Sequence, residues 1–363
     1  MLSDKITAVR KNVMKEKLEE IANELLKNNK KYVIWGCGNT GYNTIEYLKS
    51  YSNGKLTPEY MIDNNKSYWN ENVKSPLFFE NDMNNIDIVL VCVYVADQVM
   101  EQIKNMNYQG IMIPVVSSIF NIDNEVINFY QTNMDEIEKM YEILADDRSR
   151  KTVETFLNVI YSGDISLWDN INGNSSYKLI DPEILSYGGR DSYVDVGAFT
   201  GDTLQKYLEV SKKNYESIIC IEPDKNNFLA LEEYVKKNKL DKTLVLNMAA
   251  GKENGVLSFS GNRSESSTLS ENGDTNIRVL ALDAISETQN LSILKVSTNG
   301  YDLDVLYGGR VIIQRNKPQI ATYASGEQLW KIPKFLKEIV PDYKIYYRHY
   351  GIGRQAMICY AKV

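Results

Sequence analysis

The chain has 363 residues, 43% hydrophobic and 25% charged, a globular make-up long enough for two domains. Its formal net charge of −7 excludes a general nucleic-acid binder, which needs a basic face. No apolar run approaches the ~18 residues of a membrane span, and Met1-Leu-Ser-Asp-Lys leads into charged sequence with no signal core, so a cytoplasmic setting is expected.

Residues 4–29 carry apolar positions at helical spacing, Ile6, Val9, Val13, Leu18, Ile21, Leu25 and Leu26, among lysines and glutamates. Lys31-Tyr-Val-Ile-Trp then runs into Gly36-Cys-Gly38-Asn-Thr-Gly41, a full G-x-G-x-x-G between a strand and the helix Asn43 to Lys49. Asp63 ends the next apolar strand about 22 residues on, the spacing of a dinucleotide fingerprint. Asp87 to Tyr94 reads as a central parallel strand, Gln98 to Met106 as a helix, and Ile111 to Val116 as a final strand. Residues 30–118 are therefore expected to form a small Rossmann-like domain. Only about four strands are visible, so the second half of a dinucleotide domain is missing. Gly36, Gly38, Gly41 and Asp63 mark a second, nucleotide-type site. It fits NAD, a nucleotide or nucleotide sugar, or a structural or substrate-presenting role.

Residues 122–168 read as a two-helix connector, with helical stretches from Met134 to Leu144 and from Arg150 to Ile160. Leu179 to Arg190 leads into the next strand. It either covers a ligand with Tyr187 and Gly188-Gly189 or is a plain turn.

The most informative stretch is Tyr193-Val-Asp-Val-Gly-Ala-Phe-Thr-Gly-Asp202. A buried strand, a tight loop and an amphipathic helix follow one another, and bare glycine backbone lets a ligand lie against the turn. Two glycines replace the usual three, and acids stand at both ends, Asp195 and Asp202. Such a loop repels phosphate and suits a cation. S-adenosylmethionine carries a sulfonium, an amino group and no phosphate. Ser217 to Asp224 is an apolar strand closing on Glu222 and Pro223, about 20 residues past the loop, where an acid accepts from ribose hydroxyls. Leu244 to Gly251, with Asn247 and Ala249, is a third strand whose end would meet the adenine. Leu294 to Ser297 is a fourth.

Val256 to Ser260 and Ile277 to Asp283 read as a two-stranded insertion. The polar tract 261–270 between them is a surface loop that touches the acceptor or is merely solvated. Tyr343 to Tyr350 and Gln355 to Tyr360 form a terminal antiparallel hairpin across Gly351-Ile-Gly-Arg. The four cysteines, Cys37, Cys92, Cys220 and Cys359, lie far apart in or beside apolar strand patterns, with no metal-binding spacing.

These pieces together resemble the FkbM family of S-adenosylmethionine-dependent methyltransferases. The matching segments are D-V-G-A-x-x-G-D, I-E-P-D-x-x-N-F, L-N-x-A-x-G-x-x-x-G and L-K-V-x-x-x-G-x-D-x-x-V-L-x-G. A tail containing Lys317-Pro318-Gln319-Ile320, Leu329-Trp330-Lys331-Ile332-Pro333 and Tyr347-Arg348-His349-Tyr350 completes the set. The resemblance spans roughly residues 180–363. It implies an α/β fold of two Rossmann-like domains, the second a class I methyltransferase-type sheet ending in an antiparallel hairpin. The expected boundaries are residues 1–120, a connector at 121–180, and 181–363. The implied donor site is Asp195, Gly197, Ala198, Gly201, Asp202, Glu222, Pro223, Asn247, Ala249 and Ser297.

One departure stands out. The family usually reads K-x-D-x-E-G-x-E after the fourth strand, where this chain reads Lys295-Val-Ser297-Thr-Asn299-Gly300-Tyr-Asp302. Two carboxylates are replaced by neutral side chains. The family's histidine-containing stretch corresponds to Ala321-Thr-Tyr-Ala-Ser-Gly326, which has none. His349, the one histidine of the chain, and Asp302 are then the candidate bases. The resemblance implies O-methylation of a sugar or another small-molecule or glycan acceptor. The alternatives are a weakened binding or scaffold protein of glycan assembly, and an NAD-dependent sugar enzyme using the first domain. The latter lacks a Tyr-x-x-x-Lys pair after Gly36. The first helix and domain offer surfaces for a homodimer.

Overall fold

The structure is a computed structural model and describes residues 1–6, 13–93, 96–115, 124–260, 268–269, 275–288, 290–351 and 357–363. Backbone contacts divide the chain into two units. One comprises Met1–Met134, Val153–Asn172 and Gly351–Ala356. The other comprises Asp135–Thr152, Gly173–Tyr350 and Met357–Val363. Among the described residues, no helix is long and apolar enough to cross a membrane.

The first unit opens with α1 (Val13–Asn28), which buries Met14, Leu18, Ile21, Ala22 and Leu25 along one stripe. The part of the expected helix at residues 7–12 lies outside the described residues, and Ser3–Lys5 forms a short 3-10 turn. Then come β1 (Tyr32–Trp35), α2 (Asn39–Tyr51), β2 (Met61–Ile62), β3 (Val73–Lys74) and α3 (Pro76–Asp82). β4 (Ile88–Val91), α4 (Ala96–Asn105) and β5 (Ile111–Pro114) complete the domain. The strands form one parallel sheet in the order β3-β2-β1-β4-β5. Every residue of β1 and β4 is buried, because helices cover both faces of such a sheet. The sheet has five strands where the sequence reading counted about four; a two-residue β3 is too short to show a period. β4 is shorter than the expected 87–94, and Tyr94 and Val116 lie outside the described residues.

Among the described residues the connector contains three α-helices and not two: α5 (Asn124–Thr132), α6 (Met134–Glu142) and α7 (Asp147–Ser162). Asp146 starts α7 by accepting the Ser149 amide at 2.7 Å, a cap that the sequence reading did not single out.

The second unit holds a seven-stranded sheet. Its strands are β6 (Asp191–Val196), β7 (Tyr215–Ile221), β8 (Thr243–Leu246), β13 (Ile293–Val296), β14 (Gln319–Tyr323), β15 (Lys344–His349) and β16 (Met357–Lys362). The order is β15-β16-β14-β13-β6-β7-β8. β6, β7, β8, β13 and β14 run parallel, and β16 is antiparallel to both β14 and β15. The terminal hairpin is thus present, with residues 352–356 of its turn outside the described chain. Helices α8 (Asp202–Val210), α9 (Lys225–Lys237), α10 (Asp302–Gly308), α11 (Arg310–Asn316) and α12 (Gln328–Ile339) complete the unit.

The insertion is larger than a two-stranded one. β9 (Ala249–Ala250), β10 (Gly255–Ser260), β11 (Thr268–Leu269) and β12 (Thr275–Leu280) make a separate four-stranded sheet in the order β11-β10-β12-β9. The strand expected at 277–283 ends at Leu280, and residues 261–267 and 270 of the polar tract are outside the described chain. The lead-in at 179–190 packs Leu179, Ile184 and Leu185 on Ala321, Ile358 and Tyr360. Ser186 exchanges two 2.8 Å bonds with Gln319, the first residue of β14. The segment therefore crosses the amino-terminal edge of the sheet, opposite the loop that follows β6.

Candidate active site

The central strand β6 is buried at all six positions and delivers the loop Gly197–Gly201 to the carboxyl end of the sheet. Gly197 has φ +71°, and a Cβ there would lie 1.9 Å from the Ser297 carbonyl oxygen. Only glycine lets the loop pass so close to the end of β13. Gly201, at φ +95°, precedes the first turn of α8. Ala198 is fully buried. Asp202 is exposed at the start of α8, where an acid also favours the positive end of the helix dipole.

Asp195 does not reach the surface. It is 0% exposed and pairs with Lys295 at 2.7 Å, directly across the β6–β13 register. Tyr193 donates its hydroxyl to the other carboxylate oxygen at 3.1 Å. Lys295 also donates to the Gly197 carbonyl at 2.6 Å, so the pair ties strand to loop. In the sequence Lys295 is one letter of the motif after the fourth strand, with nothing in the motif to mark its partner. The available signal was a lone charge inside the apolar run Ile293-Leu-Lys-Val296, which becomes a strand buried at every position.

Glu222, 6% exposed, closes β7 beside the loop. One carboxylate oxygen accepts the Phe199 amide at 2.8 Å and the other the Asp224 amide at 2.9 Å. Burial raises its pKa, with both amide bonds opposing the rise. Phe199, at φ +50°, is a contact the sequence did not reveal. Asn247 donates to the Glu222 and Pro223 carbonyls at 3.0 Å each and so fixes the turn that carries the acid. Ala249 is buried in β9. Ser297 is half-buried and donates its amide to the Val196 carbonyl at 3.0 Å.

The loop, Glu222, Asn247 and Ser297 thus gather at one end of the sheet. His349 does not join them. It is fully buried at the end of β15, three strands from β13, about 14 Å at the usual strand spacing. Its carbonyl accepts the Gly173 amide at 2.8 Å. Asp302 begins α10 at 1% exposure, beside the turn after β13.

In the first unit, Gly36 has φ +112°, and a Cβ on Gly41 would lie 2.0 Å from the Gly36 carbonyl oxygen. Gly38 opens onto free space. Asp63 accepts the Cys37 amide at 3.0 Å on one oxygen and the Asn65 amide at 2.8 Å on the other. Glu222 is held in the same way, by one loop amide and by the amide two residues after itself.

A seven-stranded sheet with this order, a glycine loop after its central strand and an acid after the next define a class I methyltransferase-type fold. Residues 195–342 match the family described as the methyltransferase FkbM domain, so the second unit carries an FkbM methyltransferase domain. The FkbM methyltransferase structure from Methylobacillus flagellatus KT matches at 18% identity, covering 94% of this chain and 92% of that chain, with a TM-score of 0.63. Precorrin-6y C5,15-methyltransferase from Geobacter metallireducens GS-15 matches at 11% identity over 54% of this chain and 95% of that chain, with a TM-score of 0.34. A SAM-dependent methyltransferase from Aquifex aeolicus matches at 13% identity over 55% of this chain and 97% of that chain, with a TM-score of 0.32. No curated protein matches the chain.

Proposed function

We propose that the second unit transfers a methyl group from S-adenosylmethionine to a hydroxyl of a sugar or glycan-linked acceptor. The carrying observation is Glu222, held by the Phe199 amide against a loop that only Gly197 permits. Bound there, the donor supplies a methyl group on a positively charged sulfur. Glu222 would accept from the ribose hydroxyls, the Gly197–Gly201 backbone would face the rest of the donor, and the turn at Asn247 would meet the adenine. With Asp195 neutralised by Lys295, Asp202 is the exposed acid at the loop that a cation would meet. Transfer needs orientation above all, and positioning supplies ~7–11 kcal/mol in such reactions. The two candidate bases, His349 and Asp302, are both enclosed, so in this reading water takes the hydroxyl proton. The sugar acceptor and the role in glycan synthesis rest on the family resemblance, and the cytoplasmic setting on the sequence alone.

Calorimetric titration with S-adenosylmethionine, S-adenosylhomocysteine and NAD in parallel tests the reading. The two adenosyl ligands are expected to bind. In Glu222→Gln their affinity should fall by about 10- to 100-fold, since a charge-assisted hydrogen bond contributes ~1.5–3 kcal/mol. Binding that ignores the substitution sinks the ribose role. No adenosyl binding at all would favour the scaffold alternative, to which the neutral Ser297 and Asn299 belong.

A second reading concerns the first unit. The matched poses of Asp63 and Glu222 favour a nucleoside there as well. Unlike α8, α2 carries no acid in its first turn, so a phosphate would meet no carboxylate on the helix start itself. Heat from NAD or UDP that disappears in Asp63→Ala supports this reading, and none from either counts against it.

A further inference from the structure

The chain leaves β13 through a turn that ordinary residues avoid. Asn299 has φ +50° and Gly300 φ +104°, two consecutive left-handed residues. Nothing lies within 4 Å of a Cβ placed on Gly300, so crowding does not force that shape. Asp302 ties it down. Its Oδ1 accepts the Thr298 amide at 3.2 Å and the Thr322 hydroxyl at 3.3 Å, and its Oδ2 accepts the Gly300 amide at 3.2 Å. From α12, Gln328 donates its side-chain amide to the Gly300 carbonyl at 2.5 Å. The end of β13 and the elements β14, α10 and α12 all meet at this one turn.

We propose that Asp302 is a positioning residue whose carboxylate sets the Thr298–Gly300 turn, holding Asn299 and Gly300 exposed on the acceptor side of the site. Its acceptor-side purpose rests on the methyl-transfer reading; the turn and its fastening do not. An ionised carboxylate only accepts hydrogen bonds, and here three donors from other residues and its own amide converge on it. Protonation puts a donor among those donors and releases at least one. The groups facing Asp302 are neutral: the Thr298 and Gly300 amides, its own amide on α10, and the Thr322 hydroxyl on β14. The charged residues on the neighbouring elements are engaged elsewhere or lie apart. Lys295 on β13 pairs with Asp195, Lys331 with Glu327 on α12, and Asp304 is the other acid in the first turn of α10. Burial raises the Asp302 pKa to about 6, against the four hydrogen bonds that lower it. The turn is therefore fastened above that pH and loosens as pH falls through it.

Amide hydrogen exchange on the purified full chain, corrected for the intrinsic pH dependence of exchange, reads Thr298 and Gly300 directly. In the wild type their protection should fall about tenfold as pH drops through about 6, the size one net hydrogen bond supports. Asp302→Asn puts N–H donors where acceptors stood, and protection should be low at every pH. Thr322→Val removes a donor that favours the charged form, so the midpoint should move to higher pH. A merely structural carboxylate would move no midpoint. Protection that ignores pH in the wild type, or that survives Asp302→Asn, overturns the proposal. If Asp302→Asn does not fold, an unmoved midpoint in Thr322→Val overturns it alone. S-adenosylhomocysteine titration of the same wild-type sample keeps the two readings apart. A pH-dependent turn without adenosyl binding supports the role of Asp302 and sinks methyl transfer.

Discussion

Gly197→Ala is expected to weaken severely the binding of S-adenosylmethionine and S-adenosylhomocysteine. Two effects combine at this position. The backbone sits at φ +71°, where a residue with a Cβ is strained by ~1–3 kcal/mol. The added methyl would also stand 1.9 Å from the Ser297 carbonyl oxygen, a backbone atom of β13 that cannot swing aside. Relief comes only by moving the loop away from β13. That movement also disturbs the Phe199 amide and its 2.8 Å bond to Glu222. Affinity should fall about 100-fold or more, with strain alone accounting for a large part. Calorimetry checks the affinity, and circular dichroism checks that the chain is still folded. A folded variant with wild-type affinity would place the donor elsewhere.

Lys295→Met should have the largest effect on stability. Lys295 and Asp195 are 2% and 0% exposed, so removing the ammonium leaves a carboxylate buried with the Tyr193 hydroxyl as its remaining side-chain donor. Breaking a buried pair from one side costs ~3–5 kcal/mol, whereas replacing both members is far milder. The Gly197 carbonyl also loses its 2.6 Å donor. The double variant Lys295→Met with Asp195→Asn should therefore regain much of the loss in urea unfolding. If the single variant is as stable as the wild type, or the double is worse than the single, the pair does not hold the loop as described.

The parts of this molecule that were legible in the sequence are those set by backbone restrictions. Gly197 and Gly201 announced a loop, Glu222 announced the end of the second strand, and Gly36 and Gly41 announced a second loop of the same kind. Each fixes a local shape that few other residues allow. Side-chain partnerships between distant strands left much less trace. Asp195 read as a charge facing a cation, yet it lies in a strand buried on both faces, where alternation gives no direction and only the register with β13 reveals Lys295. Asp302 read as a titratable group near the chemistry. Its enclosure depends on Thr322 from β14 and on a turn whose handedness no composition predicts. The strands β3 and β11 were missed because two residues cannot display a period, and the single strand expected at 244–251 is in fact two, β8 in the main sheet and β9 in the inserted one.

The strand order carries a consequence for synthesis. β6 lies between β7, which follows it closely, and β13, just before which Ser292 accepts the Ser192 amide from one hundred positions further along. A chain emerging in order can assemble β6, β7 and β8 early. One flank of its fully buried central strand then stays unpaired until the whole insertion and β13 have been made. Pairings this distant slow folding, and an open apolar flank invites association with other chains. Fragments that stop before β13 should accordingly precipitate, whereas those that extend through β16 should be recoverable in solution.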